Sequence, residues 1–197
     1  EKFKNLDTGI DIAKQGLPIV SANAYLGCWG IKKALDQGAD IVICPRVTDA
    51  ALVMGPAAWK YDWNHDDYDQ LAGSLAAGHI IECGAQATGG NYSFFKEIPT
   101  FRNIGYPIAE IYEDGSFNIT KHDDTGGLVS KGTVTAQLLY EIASPQYLNP
   151  DVTGHFNTLE ISEVDKNKVH VKNVKGSPPP EKLKACINLA GGYKNGM

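Results

Sequence analysis

The sequence predicts a mixed α/β protein, with a parallel βαβ unit in its front half and an α+β back half containing a β-hairpin and antiparallel strands. Three observations predict it. Short apolar runs at 17–20 and 41–44 flank a helical stretch at 27–37, and Gly38 stands where a helix-ending glycine belongs. Strand, helix and strand in that order make a right-handed parallel crossover. Further on, Asp114-Gly115 separates two alternating segments, 107–112 and 116–121, which is a strong hairpin signal.

The remaining elements follow in order. A short helix is expected at 8–15, ended by Gly16. Residues 48–59 look helical, with Gly55-Pro56 expected to interrupt them. After a polar turn at 62–67, a helix is expected over 67–83. There Tyr68, Leu71, Leu75, His79 and Cys83 recur on one face. A helix over 132–142 rests on Val134, Leu138 and Ile142. Three strands are expected between 156 and 193, with 177–180 as a rigid proline connection. The Lys-rich tract 166–175 alternates with Val and reads as the wet face of one of them. The chain is expected to divide into 1–98, the C-terminal part of an α/β domain, and 99–197, an α+β portion packed on it, with one continuous domain as the alternative.

Of the 197 residues, 43% are hydrophobic and 21% charged, within the range of globular chains. The net charge of −5 argues against a nucleic-acid surface, which needs clustered cations. No apolar run reaches the ~20 residues that span a bilayer. None of the four cysteines forms a C-x-x-C pair, so no metal site is expected and the thiols read as reduced, in a cytoplasmic protein. The chain starts at Glu1 without an initiating Met, and a fragment of a longer protein is expected.

Ligands of open parallel sheets bind beyond the carboxyl ends of the strands. Those ends carry Asn23 after the first strand and Arg46, Thr48 and Asp49 after the second. Arg46 offers a planar fork for carboxylate or phosphate, and Asp49 stands beside it as orienter or base. Helix capping by Thr48 or Asp49, with Arg46 as partner, is an equal alternative. His79, Glu82 and Cys83 share a helical face. Glu82 reads as an acid or base. Cys83 reads as a buried inert thiol more readily than as a nucleophile, and His79 as a satisfied core histidine.

Two glycine-rich loops complete the candidates. In 84–90, Gln86, Thr88, Gly89 and Gly90 would let backbone amides approach an anion or oxyanion, or else form a tight turn. In 121–127, Lys121, His122, Thr125, Gly126 and Gly127 lead toward a helix N-terminus. Lys121 and His122 would add charge or a proton there, and a solvated hairpin exit is the alternative. Neither loop matches a dinucleotide or Walker A fingerprint.

Several blocks resemble the acyclic terpene utilisation family, AtuA. They are 22–27 (Ala-Asn-Ala-Tyr-Leu-Gly), 38–42, 46–50 (Arg-Val-Thr-Asp-Ala), 78–91, 105–110, 120–122 with 125–129, 137–142, and Pro179-Pro180 with Leu183-Lys184. The blocks are collinear and cover nearly the whole chain. Pro45 departs from the small residue or glycine that the resemblance leads one to expect before Arg46. Family members look longer at the N-terminus, so a site shared with that segment would be incomplete here.

The resemblance implies a role in catabolism of acyclic terpenes such as citronellol and geraniol, on branched acyl-CoA thioesters. It supplies no residue roles. The expected activity is acid/base lyase or hydrolase chemistry on an acyl-CoA or its carboxylated product, with Asp49, Glu82 and His122 catalytic. Asn23, Arg46, Gln86, Thr88, Gly89, Gly90, Lys121, Thr125, Gly126 and Gly127 would bind substrate. No cofactor beyond the substrate's own CoA is expected. The alternative is a non-catalytic acyl-CoA-binding subunit or scaffold. A small partner subunit or a homo-oligomer is expected in either case, with neither nucleic acid nor membrane as a partner.

Overall fold

The computed structural model describes residues 3–192. In chain order, a 3-10 turn (Ile12–Lys14) stands where the first helix was expected, capped by Asp11, whose carboxylate accepts from the Ala13 amide. Strand β1 (Ile19–Ala24) leads to helices α1 (Trp29–Asp36), α2 (Ala51–Lys60) and α3 (Tyr68–Ile81). The hairpin β2 (Ile108–Ile111) and β3 (Phe117–Thr120) follows, then helix α4 (Lys131–Leu138). Strands β4 (Gln146–Leu148), β5 (Thr153–His155), β6 (Glu160–Asp165), β7 (Lys168–Lys172), β8 (Lys175–Ser177) and β9 (Ala185–Leu189) close the described part.

The mixed α/β class holds, and the strand pairing differs from expectation. Strand β1 pairs antiparallel with β9, the two making a sheet of their own. The expected buried strand at 41–44 has no regular structure, and Ile41 and Ile43 are 83% and 92% exposed. Of the predicted parallel βαβ unit only one bridge remains, Leu26↔Val47. The physical reason is pairing. Strand β1 pairs with β9 alone, no backbone among the described residues pairs with 41–44, and hydrophobicity alone does not hold a strand.

The back half follows the prediction more closely. The β2–β3 hairpin turns through Gly115 at φ 82, with the Gly115 amide donating to the Tyr112 carbonyl. It belongs to a four-stranded sheet ordered β2-β3-β7-β6, and a three-stranded sheet runs β4-β5-β8. Strand β7 buries Val169 and Val171 between outward Lys168, His170 and Lys172, as its alternation predicts. The described residues after 156 carry four strands instead of three, and Tyr193 lies outside them.

Helix α3 is the centre of the molecule. Leu71 through Ile80 are all buried, against α2, α4 and strands of the other two sheets. One hydrophobic cluster unites Met54 of α2, Leu75 of α3, Phe117 of β3, Val134 of α4 and Val171 of β7. Helix α2 runs unbroken through Pro56. The ring removes one backbone bond, and burial of Met54, Ala57 and Ala58 offsets that loss.

One glycine places the site. A Cβ on Gly78 would lie 2.7 Å from the Ala50 Cα. Only a bare backbone lets the entry to α2 press so closely on the end of α3. That contact brings residue 49 beside residue 82. No helix among the described residues is long and apolar enough to cross a membrane.

Candidate acidic cleft

Two adjoining depressions share Thr48 and Asp49. The wider groove, of ≈ 520 Å³, is lined by Asn23 of β1, by Cys44 to Asp49 and by Leu52 of α2. Arg46 lies 3.5 Å from the Asp49 carboxylate, with their side chains 48% and 61% exposed. Its guanidinium also lies 5.4 Å from the Tyr25 ring centre. An ion pair this wet contributes little to stability, ~1 kcal/mol at most, so Arg46 keeps a fork to offer a ligand. Neither Thr48 nor Asp49 caps α2, whose first turn has no side-chain cap. The Thr48 hydroxyl instead accepts from the Asn149 amide at 3.1 Å.

The narrower cleft is lined by Thr48, Asp49, Ala50, His79, Glu82, Glu141, Tyr147 and Asn149. Its volume is ≈ 30 Å³, the share of one water in the liquid. Three carboxylates therefore converge on it from the entry to α2, the end of α3 and the turn after α4. Tyr147 sits among them. Burial first, and then Asp49, Glu82 and Glu141, raise its phenol above the ordinary value. It keeps its proton at neutral pH and stays a hydrogen-bond donor.

His79 is structural. Its Nε2 lies 3.1 Å from the Leu138 carbonyl oxygen and its ring packs on Tyr147 and Phe156. Burial lowers its pKa, so the ring is neutral. Cys83 donates to Glu82 at 3.0 Å, and burial together with Glu82 pushes the thiol up to about 11. A thiol so protonated is no nucleophile at neutral pH, in line with its inert reading.

A match to the family described as acyclic terpene utilisation family protein AtuA spans residues 1–197. The chain belongs to that family. No curated protein and no solved structure matches it.

In this AtuA-family chain the predicted site residues fall into two groups. Asn23, Arg46, Asp49 and Glu82 gather at the paired depressions. Thr88, Gly89, Gly90, Lys121, Thr125, Gly126 and Gly127 interlock with one another instead. The amides of residues 86–91 all donate to the Cys83, Gly84, Ala85 and Gln86 carbonyls, which turns them away from a ligand. The Thr88 carbonyl accepts from the Leu128 amide at 2.9 Å, and its hydroxyl donates to the Gly105 carbonyl at 2.6 Å. Gly126 and Gly127 donate to the Asn103 and Thr100 carbonyls. Buried Lys121 directs its ammonium at the His122 and Thr125 carbonyls and the Thr125 hydroxyl.

His122 is exposed on that turn and lines neither depression. Gln86 bridges the two groups. Its side chain meets the Tyr140 hydroxyl, which bonds Glu141 in turn, while its Oε1 is buried without a partner among the described residues.

Glu141, Tyr147 and Asn149 are the residues that sequence reasoning missed. Helical periodicity carried to Ile142 puts Glu141 on a wet face. In fact α4 stops at Leu138 and Glu141 takes a left-handed backbone, φ 58. The nearby Pro145 was the available signal, because helices end ahead of a proline.

Proposed function

We propose that this AtuA-family chain is an enzyme of acyclic terpene utilisation acting on a branched acyl-CoA, or its carboxylated thioester, by acid/base chemistry in the acidic cleft. One observation supports it above the others: Asp49, Glu82 and Glu141 meet around the protonated phenol of Tyr147. In such a cleft the phenol donates to a carbonyl oxygen, and a carboxylate takes or returns the proton on the neighbouring carbon. Arg46, at the groove's mouth, holds a substrate carboxylate or phosphate. The cleft is too small to enclose an acyl group, so the reacting carbon stands at its rim and the acyl chain and CoA lie along the open groove beside Asn23 and Leu52.

Glu82→Gln tests this reading. The side chain is exposed at the end of α3, so the variant folds. Turnover of branched acyl-CoA thioesters is expected to fall at least ~10²-fold, the usual contribution of a positioned acid or base. Undiminished turnover removes Glu82 from the mechanism.

The internal bonding of the 86–91 amides favours a second reading, a non-catalytic acyl-CoA-binding subunit, because that stretch provides no oxyanion cradle. Saturable binding of the same thioesters to wild-type protein with no product formed would select it.

A further inference from the structure

The outer face of the four-stranded sheet carries a polar row in register. Glu110 of β2 stands opposite Asn118 of β3, Asn118 opposite His170 of β7, and His170 opposite Ser162 of β6. Asn118 is almost fully buried and every bond it makes is directional. Its Nδ2 donates to the Glu110 carboxylate at 3.0 Å and to the Tyr112 hydroxyl at 2.6 Å. Glu110 is itself held by Lys168 at 2.8 Å. An ionised carboxylate only accepts, so the amide atom facing it is nitrogen, and the flipped amide is excluded.

The Asn118 oxygen therefore faces Nδ1 of His170, at 2.9 Å. That oxygen only accepts, so Nδ1 carries the imidazole proton. In the neutral ring Nε2 is then left with a lone pair and no proton. Fixing one tautomer with a buried amide has a use where the other nitrogen must receive a hydrogen bond.

His170 lines a cavity of ≈ 160 Å³ with Asp69, Asp114, Ser116, Lys172 and Lys175. Most of its charges are already paired. Asp69 pairs with Lys175 at 2.7 Å and Lys172 with Glu160 at 3.4 Å. Asp114 takes the Ser116 amide and hydroxyl on one oxygen, at 2.9 and 2.6 Å. The lysines are thus ion-paired, and the Asp114 carboxylate, which has no counter-ion among the described residues, repels an anionic ligand. Acceptors remain, Nε2 of His170 and the second Asp114 oxygen, together with ammonium donors. Adjacent acceptors beside donors suit neighbouring hydroxyl groups, and the volume suits a single small ring instead of a chain.

We propose that this cavity is a second ligand site, selective for a neutral polyhydroxylated small molecule such as a sugar or polyol, one hydroxyl of which donates to Nε2 of His170. It shares no residue with the acidic cleft, so the two proposals stand or fall separately.

The test is nitrogen-resolved NMR of the imidazole in the wild-type chain. In the uncharged imidazole the Nδ1–H tautomer is expected, and an Nε2–H tautomer overturns the proposal without any variant. Methyl α-glucoside, glycerol, inorganic phosphate and glycine are then titrated separately. A saturable shift of His170 Nε2 with either polyol is expected. In His170→Phe, whose ring keeps the sheet face covered, affinity should fall about tenfold, the size of one neutral hydrogen bond. A shift with phosphate or glycine alone overturns the neutral-ligand assignment, and no saturable shift with any probe overturns the site.

Discussion

Helix α3 and the segment 41–44 are both strongly apolar in sequence, and the molecule treats them in opposite ways. Leu71, Leu75 and Ile80 of α3 lose all contact with water, whereas Ile41 and Ile43 keep nearly full contact. A helix satisfies its own backbone, so side-chain packing alone decides its burial. A strand needs a neighbour for every amide and carbonyl. Strand β1 pairs with β9 alone, and 41–44 pairs with no strand among the described residues. Apolar composition thus states a preference for burial, and the backbone decides whether it is met.

The largest test of that contrast is Leu75→Ala. Truncation inside the closed core should cost ~2–5 kcal/mol, measured by urea unfolding. A loss under ~1 kcal/mol would mean that α3 is less tightly enclosed than it stands here.

A pH series gives a smaller, signed effect on the same helix. Burial holds His79 below its ordinary value of 6.5, so protonation favours the unfolded chain. Its stabilising contribution is complete above 6.5 and declines as the pH falls below that value. His79→Phe keeps the ring contacts with Tyr147 and Phe156 and should flatten the fall of the urea midpoint on acidification. An unchanged slope would show that His79 takes up its proton as readily in the folded protein as in the unfolded chain.

The smallest effect is expected at the exposed end of the comparison. Ile43→Lys should change stability by no more than ~0.5 kcal/mol, because the side chain has nothing to lose. A large loss in the same urea assay would show that 41–44 is covered in solution.

Local chemistry was legible in the sequence, and distant pairing was not. Gly38 marks the end of α1 and Asp114-Gly115 the β2–β3 turn, because each signal acts within a few residues. Alternation over 168–172 named the inward valines of β7 correctly. Ala24↔Ala185 pairing leaves no local trace, and the βαβ prediction failed on it. Helix α2 survives Pro56 because tertiary packing outweighs one missing bond.

The candidate site divides along the same line. Glu82 and Asp49 were legible, as carboxylates near element ends. Glu141 was not, since its direction depends on where α4 stops. The glycine loops were named as candidates, yet the amides of 86–91, 126 and 127 are taken by backbone carbonyls, a matter of loop geometry that spacing does not reveal.

Lys121 carries a practical consequence. All three protons of its ammonium are taken by oxygens of residues 122 and 125. Acylating reagents attack a free, deprotonated amine, so this lysine stays inert while that turn is closed and reacts only when it opens. The rate at which Lys121 is labelled therefore counts local openings of one small loop, against a background of surface lysines that react at once.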